Sequence, residues 1–183
     1  MCCLFGVYDY KGGLTSAQKR RLISALATAS EARGTDATGI AYNCDGHLAV
    51  YKRLWPAHLM RFRLPENVRC VMGHTRMTTQ GDEKQNCNNH PFIGTAGIPF
   101  ALAHNGILYN DKELRQERKV PATNIETDSY IAVQLLEQQG KLNFSTIRTA
   151  AEALEGTLTL TILDGRGNLY IIKGKNPLTL YHF

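Results

Sequence analysis

The chain opens Met1-Cys2-Cys3-Leu4-Phe5-Gly6, two thiols ahead of a short apolar run. In an N-terminal strand a cysteine can serve as no more than a small buried hydrophobe. Cys2 has a second chemistry, because removal of Met1 leaves a nucleophilic thiol and a free α-amine on one residue. The reference pKa of an α-amine is about 7.7 to 8.0 and that of a thiol about 8.5, so proton exchange between them near neutral pH is nearly balanced. A retained Met1 would acylate that amine and remove the base. Other polar residues gather in RGTDATG (33–39), GHTRMTTQG (73–81), NHPF (89–92), AHNG (103–106) and ETDS (126–129). Singly, each has a structural reading. Asn105-Gly106 suits a turn, His74 and His104 suit hydrogen-bonded packing, Arg76 suits a surface ion pair, and Asp128 suits the first turn of a helix.

The elements that must position these residues follow one another closely. LFGVYD (4–9) reads as a strand. Residues 15–34 read as a helix capped by Thr15 or Ser16, with Leu22, Ile23 and Leu26 on one face and Gly34 as the stop. The period then changes to two, and 38–53 reads as a hairpin turned at Asp45-Gly46. VRCVMGHT (68–75) and PFALAHN (99–105) are further strands, separated by a polar stretch too long for an ordinary connection. Residues 126–140 and 144–156 read as helices, and 157–174 as a second hairpin turned at Gly165 to Gly167. Antiparallel strand pairs toward both ends, with helices between, argue for a layered α+β architecture.

Composition sets the bounds. With 183 residues, 43% hydrophobic and 20% charged, the chain is sized for one globular domain, and it shows no repeat or linker. It contains no run of eighteen apolar residues and no signal-peptide pattern, so the expectation is a cytoplasmic protein whose five cysteines stay reduced. The net charge of +5 is scattered over 21 basic and 16 acidic residues. Lys19-Arg20-Arg21 is the one run of three basic residues and reads as a solvated helix face rather than a nucleic-acid footprint.

In this order, Cys2-Cys3-Leu4-Phe5-Gly6, RGTDATGIA, GHTRMTTQG, NHPF, HNGIL and ETDS resemble the class II glutamine amidotransferase domain, an N-terminal nucleophile hydrolase. That domain begins glucosamine-6-phosphate synthase and amidophosphoribosyltransferase, and the resemblance runs from residue 2 to about residue 175. It implies a four-layer αββα sandwich with antiparallel sheets. It also implies hydrolysis of the side-chain amide of L-glutamine to glutamate and ammonia through a Cys2 thioester, without cofactor or metal. By resemblance Cys2 is the nucleophile and its own amine the base, while the Asn105 side chain and the Gly106 N–H form the oxyanion hole. Arg76 grips the substrate carboxylate, Asp128 pairs with its α-amine, and Gly106 also lines the substrate. Arg33, His74 and His90 support the site, and Met77, Thr78, Thr79, Gln80 and Gly81 form a lid. Cys3 stands where many relatives have Gly, and strand alternation turns it away from the site. Met77 and Gln80 depart from the Trp and His of some synthases, within the lid.

Other readings stay open at this point. Cys70, His74, Cys87 and His90 have zinc-ligand types, yet Cys70 and His74 would lie about 13 Å apart along one strand face, too far to share an ion. A catalytically silent amidotransferase-like regulatory or binding module is the alternative function, weighed against the joint presence of Cys2, Arg76, Asn105, Gly106 and Asp128. The chain ends at NPLTLYHF, within what reads as another strand. The expectation is therefore one glutaminase domain over residues 1–183. Whether it is a fragment short of its C-terminal strands and a synthase domain, a stand-alone enzyme, or a subunit that serves a synthase in trans is open, as is homo-oligomer formation. No nucleic-acid or membrane partner is expected.

Overall fold

Thr15 supplies the chemistry that starts the first helix. In the computed structural model, which describes residues 2–82 and 84–182, the Thr15 hydroxyl accepts from the Gln18 N–H at 3.2 Å. Gln18 Oε1 in turn accepts from the Thr15 N–H at 2.8 Å, a capping box that opens α1 (Ser16–Ser30). A 3₁₀ turn over Glu31–Arg33 follows, so the α-helix stops before the expected Gly34. The buried stripe is Lys19, Ile23, Ala27 and Ser30, whereas Leu26 is 38% exposed. The face is thus rotated from the one expected around Leu22, Ile23 and Leu26, because the small Ala27 lets the helix approach the sheet beneath it. Lys19 likewise leaves the expected solvated face. Its Nζ lies 3.1 Å from Asp9 Oδ2 and donates to the Val68 carbonyl at 2.7 Å.

Among the described residues, eight strands form two antiparallel sheets. The first contains β1 (Cys3–Tyr8), β2 (Ala37–Cys44), β3 (His47–Arg53) and β4 (Cys70–Arg76) in the order β1-β4-β2-β3. The second contains β5 (Phe92–Thr95), β6 (Pro99–Leu108), β7 (Gly156–Asp164) and β8 (Leu169–Lys173) in sequence order. Asp45 and Gly46 turn the β2–β3 hairpin with φ of 51° and 80°, the left-handed pair that a two-residue turn needs. Between β6 and β7 lie α2 (Asp111–Glu117), α3 (Tyr130–Gln138) and α4 (Phe144–Ala153), the last opened by an Asn143 capping box.

Three apolar layers join these elements. Ile23 and Ala27 of α1 pack on Ile40 and Val71 of the first sheet, together with Phe62 and Val68. Ala41, Cys70 and Met72 meet Ala101, Ala103 and Leu163 between the sheets. Phe100, Leu102 and Ile162 meet Ile131, Leu136 and Ile147 on the far side. The result is the four-layer αββα sandwich of the α+β class. Among the described residues no helix is long and apolar enough to cross a membrane.

Three features differ from the sequence reading. The long polar stretch contains a 3₁₀ turn over Asn86–Asn88 and the strand β5, which at four residues is too short to show a period. The helix α2 was not expected, since its seven residues bury only Asp111 and Leu114. Residues 175–182 form no strand, although Asn176 reaches back to donate to the Asn105 carbonyl at 2.7 Å.

The Asp9–Lys19 pair yields a stability prediction. Burial alone would raise the Asp9 pKa, but the Leu14 N–H, the Lys19 ammonium and the Gly13 N–H hold it below the usual carboxylate value. Asp9→Asn leaves the buried Lys19 charge unpaired and is expected to cost about 3 kcal/mol in urea unfolding. Adding Lys19→Met should recover most of that loss. Because the folded pKa is depressed, the Asp9 contribution is complete above about pH 4 and is lost as the pH falls through the folded value.

Candidate active site

The register between β1 and β4 decides which way the two thiols face. Cys3 pairs with Thr75 and Leu4 with His74, so Cys2, one residue ahead of the strand, falls opposite Arg76. Directly opposed residues share a sheet face. Leu4 and Met72 belong to the core between the sheets, and Phe5, Val7 and Val71 to the core beneath α1. Cys2, His74 and Arg76 therefore point between the sheets. Cys3 lies with Thr75 on the α1 side, where the Thr75 hydroxyl donates to the Ser30 carbonyl at 3.0 Å. The Cys2 thiol donates to the Met77 carbonyl at 3.5 Å, and Arg33 Nε donates to the Cys2 carbonyl at 3.2 Å. Burial pushes the Cys2 thiol pKa up; the Met77 contact and the Arg76 charge pull it back, and the Asp128 carboxylate pushes it up again. The thiol thus sits in the field of both charges.

Arg76 is buried at the end of β4 and fastens the loop that follows. Its guanidinium donates to Asn89 Oδ1 and to the Gln80 carbonyl, both at 2.6 Å, and to the Gly81 carbonyl at 3.3 Å. Asp36 ties the other flank, its carboxylate accepting the Thr78 N–H at 2.7 Å while its own N–H donates to the Arg76 carbonyl at 3.0 Å. Met77 remains 45% exposed within this otherwise anchored turn. Lys52, on β3, donates to the Asn89 carbonyl at 2.5 Å and to the Pro91 carbonyl at 3.2 Å. Burial lowers its pKa to about 8.

The second sheet contributes Asn105 and Gly106. Ala101 and Ala103 face the first sheet, and alternation places Asn105 on the same side of β6. Asn105 is 8% exposed, and its side-chain amide makes no hydrogen bond to another described residue. Gly106 has a φ of 153°, and a Cβ there would lie 1.7 Å from the Thr157 carbonyl oxygen. Only glycine fits between β6 and β7 at this point. Asp128, ahead of α3, accepts the Leu108 N–H at 2.6 Å and the Ser129 N–H at 2.8 Å. It is buried, and among the described residues no Lys or Arg pairs with it. The His104 Nε2–H donates to the Thr157 carbonyl at 3.3 Å, so Nδ1 accepts from the Ser129 hydroxyl at 2.7 Å.

A thiol, a guanidinium, a carboxylate and an unpaired amide thus come from both sheets and the α3 entry turn. Comparison with known proteins shows the family of the chain. Residues 74–182 match the family described as glutamine amidotransferase domain. The chain is a class II glutamine amidotransferase domain. Glutamine–fructose-6-phosphate aminotransferase (isomerizing) of Bacillus anthracis is 33% identical over 156 residues, 81% of this chain and 26% of that protein. The protein of the same name from Sulfolobus acidocaldarius is 30% identical over 189 residues, 98% of this chain and 31% of its own length. The chain therefore spans about a quarter to a third of the curated relatives it matches. Glutamine phosphoribosylpyrophosphate amidotransferase from B. subtilis superposes with a TM-score of 0.66 at 22% identity, over 90% of this chain and 35% of that one. A structure described as the allosteric regulatory enzyme of purine biosynthesis gives 0.68 at 20% identity, over 90% and 36%. These two likenesses establish the N-terminal nucleophile hydrolase fold, and glutamine hydrolysis is the general reaction of the family.

A stack of rings includes His74, on the same strand face as Cys2 and Arg76. His74 and His90 have centroids 4.2 Å apart, His90 and Phe92 4.3 Å, and Phe92 and Tyr130 5.4 Å. His74 Nε2–H donates to the His104 carbonyl at 3.0 Å, while both His90 nitrogens and His74 Nδ1 are buried without a hydrogen-bond partner among the described residues. Among those residues, no group of three or more His, Cys, Asp or Glu is arranged to hold a metal ion. Cys70 of the zinc reading is buried between the sheets, and burial pushes its thiol up to about 12.

Ser129, Asp36, Asn89 and Lys52 are structural partners that sequence reasoning did not assign. The first three lie inside the quoted polar segments, so the signal was present and only their partners were invisible. Lys52 occupies an ordinary alternating strand position and gives no signal.

Two expectations follow. Gly106→Ala must separate β6 from β7 and is expected to cost about 2 kcal/mol or more in urea unfolding. Burial lowers the His74 pKa to about 3 and that of His90 well below its usual value, so both rings are neutral in the fold. The unfolded chain takes up these protons as the pH falls through about 6.5, so stability should decline from there toward pH 3. Imidazole resonances of His74 or His90 that titrate near neutrality would contradict this.

Proposed function

We propose that this domain hydrolyses the side-chain amide of L-glutamine through a Cys2 thioester, with the whole chain, residues 1–183, acting as one glutaminase unit. The observation that carries the reading is the position of Cys2 on the inter-sheet face opposite Arg76, in the combined field of Arg76 and Asp128. Burial raises the thiol pKa, so the resting nucleophile is protonated and needs a base. After removal of Met1, the Cys2 α-amine takes that proton as sulfur attacks the amide carbon. The carbonyl electrons move to oxygen, and the oxyanion is held by the Asn105 side-chain amide and the Gly106 N–H. Collapse breaks the C–N bond, and the protonated amine returns its proton to the departing ammonia. Water, deprotonated by the same amine, then cleaves the thioester to glutamate and restores the thiol.

Recognition follows from the charges of the free amino acid. The family likeness assigns its carboxylate to Arg76, whose planar fork suits a bidentate contact. The buried Asp128 carboxylate, without a cation of its own among the described residues, suits its α-ammonium. Arg33, His74 and His90 hold the frame, and Met77 to Gly81 close over the substrate. Ammonia passes to an acceptor-binding partner, in keeping with the aminotransferase names of the relatives.

Processed protein, confirmed by intact mass, should release glutamate from L-glutamine but not from D-glutamine or glutamine with a blocked α-amine. Cys2→Ala should abolish both turnover and labelling by a diazo-ketone glutamine analogue, whereas Cys3→Ala should keep most activity. Asn105→Ala should lower kcat by about a hundredfold to a thousandfold with little change in KM. An adduct mapped to Cys3, or equal turnover of the blocked substrate, would overturn the assignment.

A further inference from the structure

A groove of about 710 Å³ opens in the α1 layer, with the first sheet standing between it and the inter-sheet face that carries Cys2. Its walls are built by two alternation patterns. In the segment after β3, Met60, Phe62 and Leu64 turn into the core beneath α1, which forces Arg61 and Arg63 outward. Along α1, the burial of Ile23 and Ala27 leaves Arg20, Arg21 and Ser24 on the opposing wall. Four guanidinium groups thus line one concavity that has no Asp or Glu in its lining.

These arginines are not spent on the fold. The ion pairs among the described residues are Asp9–Lys19, Glu31–His58, Asp111–Arg115 and Glu152–Arg148. Arg20 donates only to the Ser16 hydroxyl at 3.3 Å, and Arg61 only to the carbonyls of Met60 at 3.2 Å and His58 at 3.5 Å. Arg21 and Arg63 make no hydrogen bond or ion pair with a described residue. The nearby Glu31 carboxylate is occupied by the backbone and ring of His58.

We infer that this groove binds a polyphosphate group, carried by a small molecule, in the fork formed by Arg20, Arg21, Arg61 and Arg63. A single carboxylate cannot balance four like charges, whereas a di- or triphosphate presents several charged oxygens, pairs of which each match the bidentate fork of a guanidinium. The volume falls within the range of about 300 to 1,000 Å³ usual for small-ligand sites. A concavity with cations on two walls favours a compact anion over the extended backbone of a nucleic acid. The buried Met60 and Phe62 close the floor.

Calorimetric titration of the full chain at about 50 mM salt tests this, with orthophosphate, pyrophosphate, tripolyphosphate, ATP, an oligo-glutamate peptide and a short oligonucleotide as probes. Pyrophosphate and tripolyphosphate should bind one site with Kd below about 1 mM, with orthophosphate at least about tenfold weaker. ATP tighter than tripolyphosphate assigns the ligand to the nucleotides, and equal affinity assigns the site to the polyphosphate moiety alone. The exposed pair Arg21→Gln with Arg63→Gln should weaken binding about tenfold or more, with the ligand-free melting temperature and glutamate release unchanged. Absence of saturable binding, undiminished affinity in the double variant, or tighter binding of the peptide or oligonucleotide would overturn the inference.

Discussion

The antiparallel pairing of β1 with β4 carries the chemistry of this domain, because it fixes the face on which each of two adjacent thiols lies. Cys3 opposite Thr75 sends Cys2 to the interior between the sheets, beside the terminal Arg76 of β4. A slip of one residue would exchange the faces and bury Cys2 under α1. The register is held by apolar commitments on both sides. Phe5 and Val7 are taken up by the α1 core and Leu4 by the inter-sheet core. Gly73 leaves the room that Phe5 fills, since a Cβ there would lie 2.3 Å from the Phe5 ring. Strand packing several residues away therefore sets the position of Cys2.

The second sheet solves the complementary problem of keeping polar groups dry yet oriented. Asp128 is fixed by two backbone N–H groups, and Ser129 beside it is tied to His104 and through it to Thr157. A carboxylate satisfied by neutral donors keeps its charge available to a ligand. The histidine stack below makes the opposite use of burial. His74 and His90 are stripped of water until they are neutral, so they add shape without adding charge beside Arg76. A cation in the stack would raise the electrostatic cost of that guanidinium.

Much of this was legible in the sequence, and the gaps have physical causes. The ordered polar segments disclosed the family, the glycine-bearing turns disclosed both hairpins, and strand parity disclosed the opposite faces of Cys2 and Cys3. Long-range partners were hidden. Nothing in the sequence places Lys52 against residues 89–91 or Asp36 against Thr78, since both contacts are made by chain reversals tens of residues apart. The rotated face of α1 was missed for a related reason. Helical periodicity ranks Leu26 above Ala27, but the sheet beneath requires a small residue at the contact and a buried Lys19 to answer Asp9.

The loop after Arg76 shows how rigid and adjustable parts divide the work. Arg76 belongs to the sheet, yet its guanidinium reaches out to the Gln80 and Gly81 carbonyls, while Asp36 holds Thr78 from the neighbouring strand. The loop is thereby anchored at two points to the same frame that positions Cys2, while Met77, between Arg76 and Thr78, stays exposed. Such a loop can shift its tip while its ends keep their place on the sheet. Anything that displaced Met77 would be felt at Cys2 through the Met77 carbonyl, which the thiol already touches. On the function proposed above, closure of this loop over glutamine would bear on the thiol through that one contact.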